Sequence, residues 1–137
     1  MQFGRGKPVS LAPLYDASRL ADPNVTAAAT FHLENIAGPV LCLAAADDQL
    51  WPSPAQCDVA MAYLKAHAHP YADQEIVYPN AGHTFMTGLR GAKYAVTSYP
   101  LGGGASMAFG GTPDGDAAAA QSAVATIGAF FAKALAP

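Results

Sequence analysis

Two carboxylates and an imidazole carry the chemistry that this sequence offers. Asp47 and Asp48 end the apolar run Pro39-Val-Leu-Cys-Leu-Ala-Ala-Ala46 and open the turn Asp48-Gln-Leu-Trp-Pro52. His83 stands 35 residues after Asp48, on the turn Asn80-Ala-Gly82. That interval holds one crossover helix and one strand, so neighbouring strand ends bring the two groups together. A buried carboxylate that accepts from His Nδ1 fixes the tautomer and stabilises the imidazolium, as in the acid–base half of a Ser…Asp…His relay. Asp48 is preferred over Asp47 because it begins the turn that leaves the strand end, where catalytic groups of open α/β sheets gather. Taken alone, the two aspartates read first as caps of the turn and the following helix. The pairing with His83 favours catalysis.

The nucleophile is missing. No Gly-x-Ser-x-Gly elbow precedes Asp48. Ser53 reads as a helix cap, and Ser10, Ser18, Ser98 and Ser122 have no elbow around them. Ser106, in Gly104-Ala-Ser-Met-Ala108, follows the histidine without a preceding strand. Cys42 falls mid-strand and reads as a buried, inert thiol. His67 and His69 sit at a helix end, where the macrodipole favours them, and His32 has no partner in view. No metal-ligand spacing joins the aspartates and histidines, so neither a metal nor a cofactor is expected. Gly102-Gly-Gly104 lacks the strand that a nucleotide-binding loop requires.

The elements that must position these groups follow from capping and periodicity. Residues 1–21 read as an irregular lead-in. Asp22 caps a short helix with Pro23 in its first position, running to about Thr30. Val40–Ala45 is an unbroken apolar run that suits a parallel strand covered on both faces. Ser53-Pro-Ala-Gln56 starts a helix to about His67, with Ala55, Val59, Ala62, Tyr63 and Ala66 on its apolar face. Gln74–Tyr78 is the next strand. A long Gly-rich loop spans about 84–111, and Thr112-Pro113 opens a last helix with the stripe Val124, Ile127, Phe131 and Leu135. The order predicts an α/β fold with parallel strands and crossover helices, as one partial domain over residues 1–137.

Composition bounds the rest. At 137 residues the chain has room for one core; it is 52% hydrophobic and only 12% charged, a balance expected of a domain that packs part of its surface against something else. A net charge of −3 with scattered basic residues argues against nucleic-acid or anionic-membrane partners. No run approaches the roughly 18 apolar residues of a membrane span, and the first eight residues lack the apolar block of a signal peptide. Cys42 and Cys57 read as reduced core thiols, which makes the cytoplasm the expected compartment.

The block from Ile36-Ala-Gly-Pro-Val-Leu41 through Asp47-Asp-Gln-Leu-Trp-Pro-Ser53 resembles the C-terminal region of the acyl-CoA thioester hydrolase and bile-acid-CoA:amino-acid N-acyltransferase family, a branch of the α/β-hydrolases. Leu64-Lys-Ala-His67, His69-Pro-Tyr71, Tyr78-Pro-Asn-Ala-Gly-His83 and Phe109-Gly-Gly-Thr-Pro113 extend the similarity over about residues 14–136. The resemblance implies the C-terminal part of an α/β-hydrolase fold, with Asp48 as triad acid and His83 as triad base. It implies a serine or cysteine nucleophile upstream of everything in this chain, and an acyl-CoA or related thioester as substrate. Arg90 and Lys93 are then candidates for the CoA phosphates, or simply solvated surface charge. Two readings follow. One is the acid–base half of a thioester hydrolase or acyltransferase, inactive alone and completed by a nucleophile-bearing half. The other is a non-catalytic hydrolase fragment used for packing or binding, with a dienelactone-hydrolase-like or peptidase-like relative as a further possibility. In either case a two-strand sheet leaves an unpaired edge, so association with itself or with a complementing half is expected.

Overall fold

Apolar, β-branched and small residues build the central pair of strands, β1 (Leu41–Ala45) and β2 (Gln74–Tyr78). They run parallel, with Leu43 opposite Ile76 and Ala45 opposite Tyr78. A computed structural model describes residues 6–19 and 22–136. Three helices precede or connect these strands: α1 (Ala12–Arg19), α2 (Pro23–Ala29) and α3 (Ser53–Ala66). An antiparallel hairpin, β3 (Ser98–Gly102) and β4 (Ala105–Ala108), precedes the long C-terminal helix α4 (Pro113–Ala134). The result is a mixed helix–strand fold with a small parallel sheet.

Alternation along the strands assigns each face. Leu43, Ala45, Ile76 and Tyr78 share one side and pack with Ala81, Phe85, Ala119 and Ala123, so that face meets α4. The alanines of α4 let its backbone approach the sheet closely. On the other face Cys42 meets α3, where Cys57 and Leu64 are buried. Leu64 is 1% exposed, and burying a leucine fully contributes about 2 kcal/mol. Asp22 accepts from the Asn24 amide at the start of α2, with Pro23 in the first turn as expected.

Several expectations need correction. The lead-in is not wholly irregular, because Ala12–Arg19 is helical; its amides are tied to the acid turn, with Leu11 and Ala12 N–H both donating to the Gln49 carbonyl. The loop over 84–111 contains the β3–β4 hairpin; Gly103-Gly104 is its turn after Gly102 ends β3, and all three lie at positive φ. Short helical turns at Phe85–Arg90 and Ala92–Tyr94 fill much of the remainder. Cover on both faces holds at the end of β1, where Ala44 and Ala45 are buried, but not for β2, where Val77 is 42% exposed. Nor do the expected helix faces point inward: in α3, Val59 is exposed, and so are Val124 and Phe131 in α4 and Leu135 at its C-cap. The buried side of α4 is Asp116, Ala119, Ala120, Ala123 and Phe130.

The cysteines also differ from expectation. Cys42 and Cys57 form a disulfide with Cα atoms 5.9 Å apart. Residues on a mid-strand and the first turns of a helix look unrelated in sequence. Packing of α3 across β1 brings them within bridging distance.

Candidate active site

The acid turn is built by a carboxylate folding back on its own backbone. Asp48 Oδ1 accepts from the amides of Leu50 and Trp51, both at 2.9 Å, while Asp48 N–H donates to Ala45 at the end of β1. This side-chain turn is the usual preference of aspartate at a strand exit. It leaves Oδ2 directed elsewhere, and Asp48 as a whole is buried. The alanines preceding the turn fit it without strain, as none lies at positive φ.

Asp48 Oδ2 lies 3.1 Å from Nδ1 of His83. An ionised carboxylate only accepts, so Nδ1 must carry the proton and donate. The Asp48 side chain is 3% exposed and that of His83 is 21%. Among the described residues no hydrogen-bond partner meets His83 Nε2, the nitrogen that faces away from the acid. Trp51 stands edge-on to the imidazole with ring centres 4.8 Å apart, and Phe109 tilts against it at 5.8 Å. These rings limit how far the imidazole can swing.

The histidine turn is held as tightly as the acid turn. Asn80 takes a left-handed conformation (φ 55), which asparagine tolerates better than most residues. His83 N–H donates to the Phe109 carbonyl at 2.8 Å. Gly82 is needed for close approach, because a side chain there would collide with the Gly110 carbonyl. Asp47, the aspartate not chosen, braces the same corner: its Oδ2 accepts from Gly111 N–H at 2.9 Å and its Oδ1 from the Gln49 side chain at 2.8 Å. The strand β4 thus feeds Phe109-Gly110-Gly111 between the two turns.

The remaining candidates fall outside this corner. Ser53 does not cap its helix; Pro52 holds that position, and Ser53 Oγ hydrogen-bonds the Ala45 backbone instead. Ser10 donates to the Gln49 carbonyl at 2.8 Å. Cys42 is consumed in the disulfide. Among the described residues no serine or cysteine hydrogen-bonds His83. His32 does have a partner, Glu34, at 3.1 Å. His67 donates to the Tyr63 carbonyl at the end of α3, a helix-end role. His69 is more than a helix-end charge: its side chain is 1% exposed, with Nδ1 2.7 Å from Asp73 and Nε2 3.0 Å from the Ile36 carbonyl. Those contacts, the Ile36 carbonyl first, hold its pKa above the ordinary value. Arg90 and Lys93 both lie against the Tyr94 ring, at 4.7 and 5.0 Å from its centre. No group of three metal-ligating side chains occurs among the described residues, and none of their helices is long and apolar enough to cross a membrane.

Three residues escaped sequence reasoning. Trp51 and Phe109 flank the imidazole although neither has titratable chemistry to mark it. Their only signal was position, Trp51 three residues beyond Asp48 and Phe109 before a Gly-Gly corner. Asp116 gave even less signal, being one acid among two in the first turn of a helix. It is 0% exposed and its Oδ1 accepts from the Gly82 amide at 2.8 Å.

No curated protein matches the chain. The model of the family described as BAAT / Acyl-CoA thioester hydrolase C terminal matches residues 9–137. With nearly the whole length matched, the chain belongs to the BAAT / acyl-CoA thioester hydrolase C-terminal family.

Proposed function

We propose that this chain supplies the acid and base of an acyl-CoA thioester hydrolase or acyltransferase, and that the nucleophile comes from a segment outside these residues. The observation that carries the reading is the contact of His83 Nδ1 with Asp48 Oδ2, between a buried carboxylate and a partly open imidazole. Family membership supports the thioester class.

In this reading His83 Nε2 removes the proton of a serine or cysteine as that group attacks the thioester carbonyl. The C–S bond to CoA breaks, and the imidazolium returns the proton to the leaving thiolate. His83 then deprotonates water or an amine, which attacks the acyl-enzyme and releases the acid or amide with the nucleophile regenerated. Asp48 stabilises the imidazolium at both stages. Donors for the oxyanion belong to the nucleophile-bearing segment.

Exposed apolar side chains favour a partner surface. Val77 on the sheet, Val124 and Phe131 on α4 and Leu135 just after it are each more than 40% exposed. They fit packing against a nucleophile-bearing half or a second copy. They also suit the second reading, a fragment that packs or binds without catalysing. A dienelactone-hydrolase-like or peptidase-like relative would use the same relay on another substrate.

The cytoplasmic expectation rested on unpaired thiols. The Cys42–Cys57 cross-link favours an oxidising compartment instead.

The test is complementation. The chain is assayed for acyl-CoA cleavage alone and with a polypeptide carrying a strand–Gly-x-(Ser/Cys)-x-Gly–helix elbow from an upstream reading frame. Turnover only in the mixture, lost in His83→Ala, supports the catalytic reading. A folded complex with no turnover supports the packing reading.

A further inference from the structure

We infer that Asp116 is a positioning residue for the relay, holding the Gly82 amide so that the His83 ring stays against Asp48. The inference rests on the relay reading of Asp48 and His83. Asp116 lies in the first turn of α4, yet it does not cap that helix: Thr112 does so, accepting from the Gly115 amide at 3.0 Å. A carboxyl group is rarely buried completely unless it is paired, and among the described residues no cation pairs with Asp116. Neither of its oxygens takes an α4 amide: Oδ2 has no hydrogen-bond partner, and Oδ1 accepts from Gly82.

What Asp116 does reach is the backbone beside the histidine. Gly82 directly precedes His83, and its amide has no other acceptor among the described hydrogen bonds. On one side Gly82 lies against the Gly110 carbonyl; on the other it is held by Asp116 Oδ1. The same oxygen lies beneath Gly111, whose amide is held by Asp47. Asp116 therefore sits where the histidine turn meets the Gly110–Gly111 corner, and that corner also contacts the acid turn. Removing its oxygen would free Gly82 and let the imidazole leave Asp48. Burial, opposed by the Gly82 hydrogen bond and reinforced by the nearby Asp47 carboxylate, pushes the Asp116 pKa up. A neutral carboxyl still accepts through its carbonyl oxygen, so asparagine reproduces the contact.

The test reads the tautomer of His83 from its imidazole ¹⁵N shifts in the folded chain, above the pH at which the ring deprotonates. Wild type and Asp116→Asn should both hold the proton on Nδ1. In Asp116→Ala the ratio of Nδ1–H to Nε2–H should fall about tenfold, as expected for loss of one supporting hydrogen bond. An unchanged ratio in folded Asp116→Ala overturns the inference. Should that variant not fold, hydrogen exchange at Gly82 in wild type decides: protection comparable with β1 amides supports the clamp, and exchange at open-loop rates overturns it. Because neither readout needs turnover, a clamp that holds beside a complemented enzyme insensitive to His83→Ala would defeat the catalytic reading alone.

Discussion

Asp48 divides its two oxygens between structure and His83. Oδ1 takes the amides of Leu50 and Trp51, which fixes the carboxylate plane, and Oδ2 is left 3.1 Å from His83 Nδ1. The same side chain therefore shapes the turn and orients the imidazole. Its neighbour Asp47 has both oxygens committed to Gln49 and Gly111 and makes no hydrogen bond to the histidine.

Asp48→Asn should keep the turn, because the amide oxygen can still accept from Leu50 and Trp51. Its nitrogen would then face Nδ1 and favour the wrong tautomer. In a complemented enzyme kcat should drop by about 10⁴ with little change in melting temperature. Steady-state kinetics beside a thermal melt checks this; equal losses of activity and stability would point to a purely structural Asp48.

The Cys42–Cys57 bridge closes a loop with a sequence separation of 15 that encloses the whole acid turn. Chain-entropy reasoning assigns such a loop about 3 kcal/mol of stability. Urea denaturation of the oxidised chain against Cys42→Ala/Cys57→Ala should show a loss of that order. A native thiol assay should find no free thiol.

His69 makes stability depend on pH. Both ring nitrogens face acceptors, the Ile36 carbonyl and Asp73, and only the doubly protonated ring satisfies both. Its folded pKa is raised above 6.5. The stabilising contribution is therefore complete below the unfolded value and is lost as pH rises through the folded one. Urea midpoints of wild type minus His69→Gln should shrink across that window; a difference that grows with pH would contradict the assignment.

The open sheet and the outward apolar face of α4 predict association. Sedimentation of the isolated chain should show species heavier than the monomer, and Val124→Asp with Phe131→Asp should shift them toward monomer. A monodisperse wild-type monomer that melts cooperatively would refute this.

Much of the scaffold was legible. Gln74–Tyr78 matched in full, and helices α2, α3 and α4 were marked by proline in their first turns. These are local signals, set by a residue and its near neighbours. What was illegible is tertiary. The Gly102–Gly104 run announces a turn but not the weak strands beside it, one of them carrying Pro100. In α4 the larger residues suggested an inward stripe, yet Ala119 and Ala123 are the residues packed against the strands, while Val124 and Phe131 face out. The disulfide depends on how α3 crosses β1, and Asp116 on where the histidine turn meets α4. Of the candidate site, Asp48 and His83 were marked by residue type and spacing; Trp51, Phe109 and Asp116 are brought there by tertiary placement alone.

The most direct test of the central claim is thioester cleavage by this chain with and without a nucleophile-bearing elbow half, in wild-type and His83→Ala forms. The account predicts no acyl-CoA hydrolysis by the chain alone, turnover in the wild-type mixture, and its loss in His83→Ala. Hydrolysis by the isolated chain that vanishes in His83→Ala would contradict it, because a nucleophile would then lie within these residues.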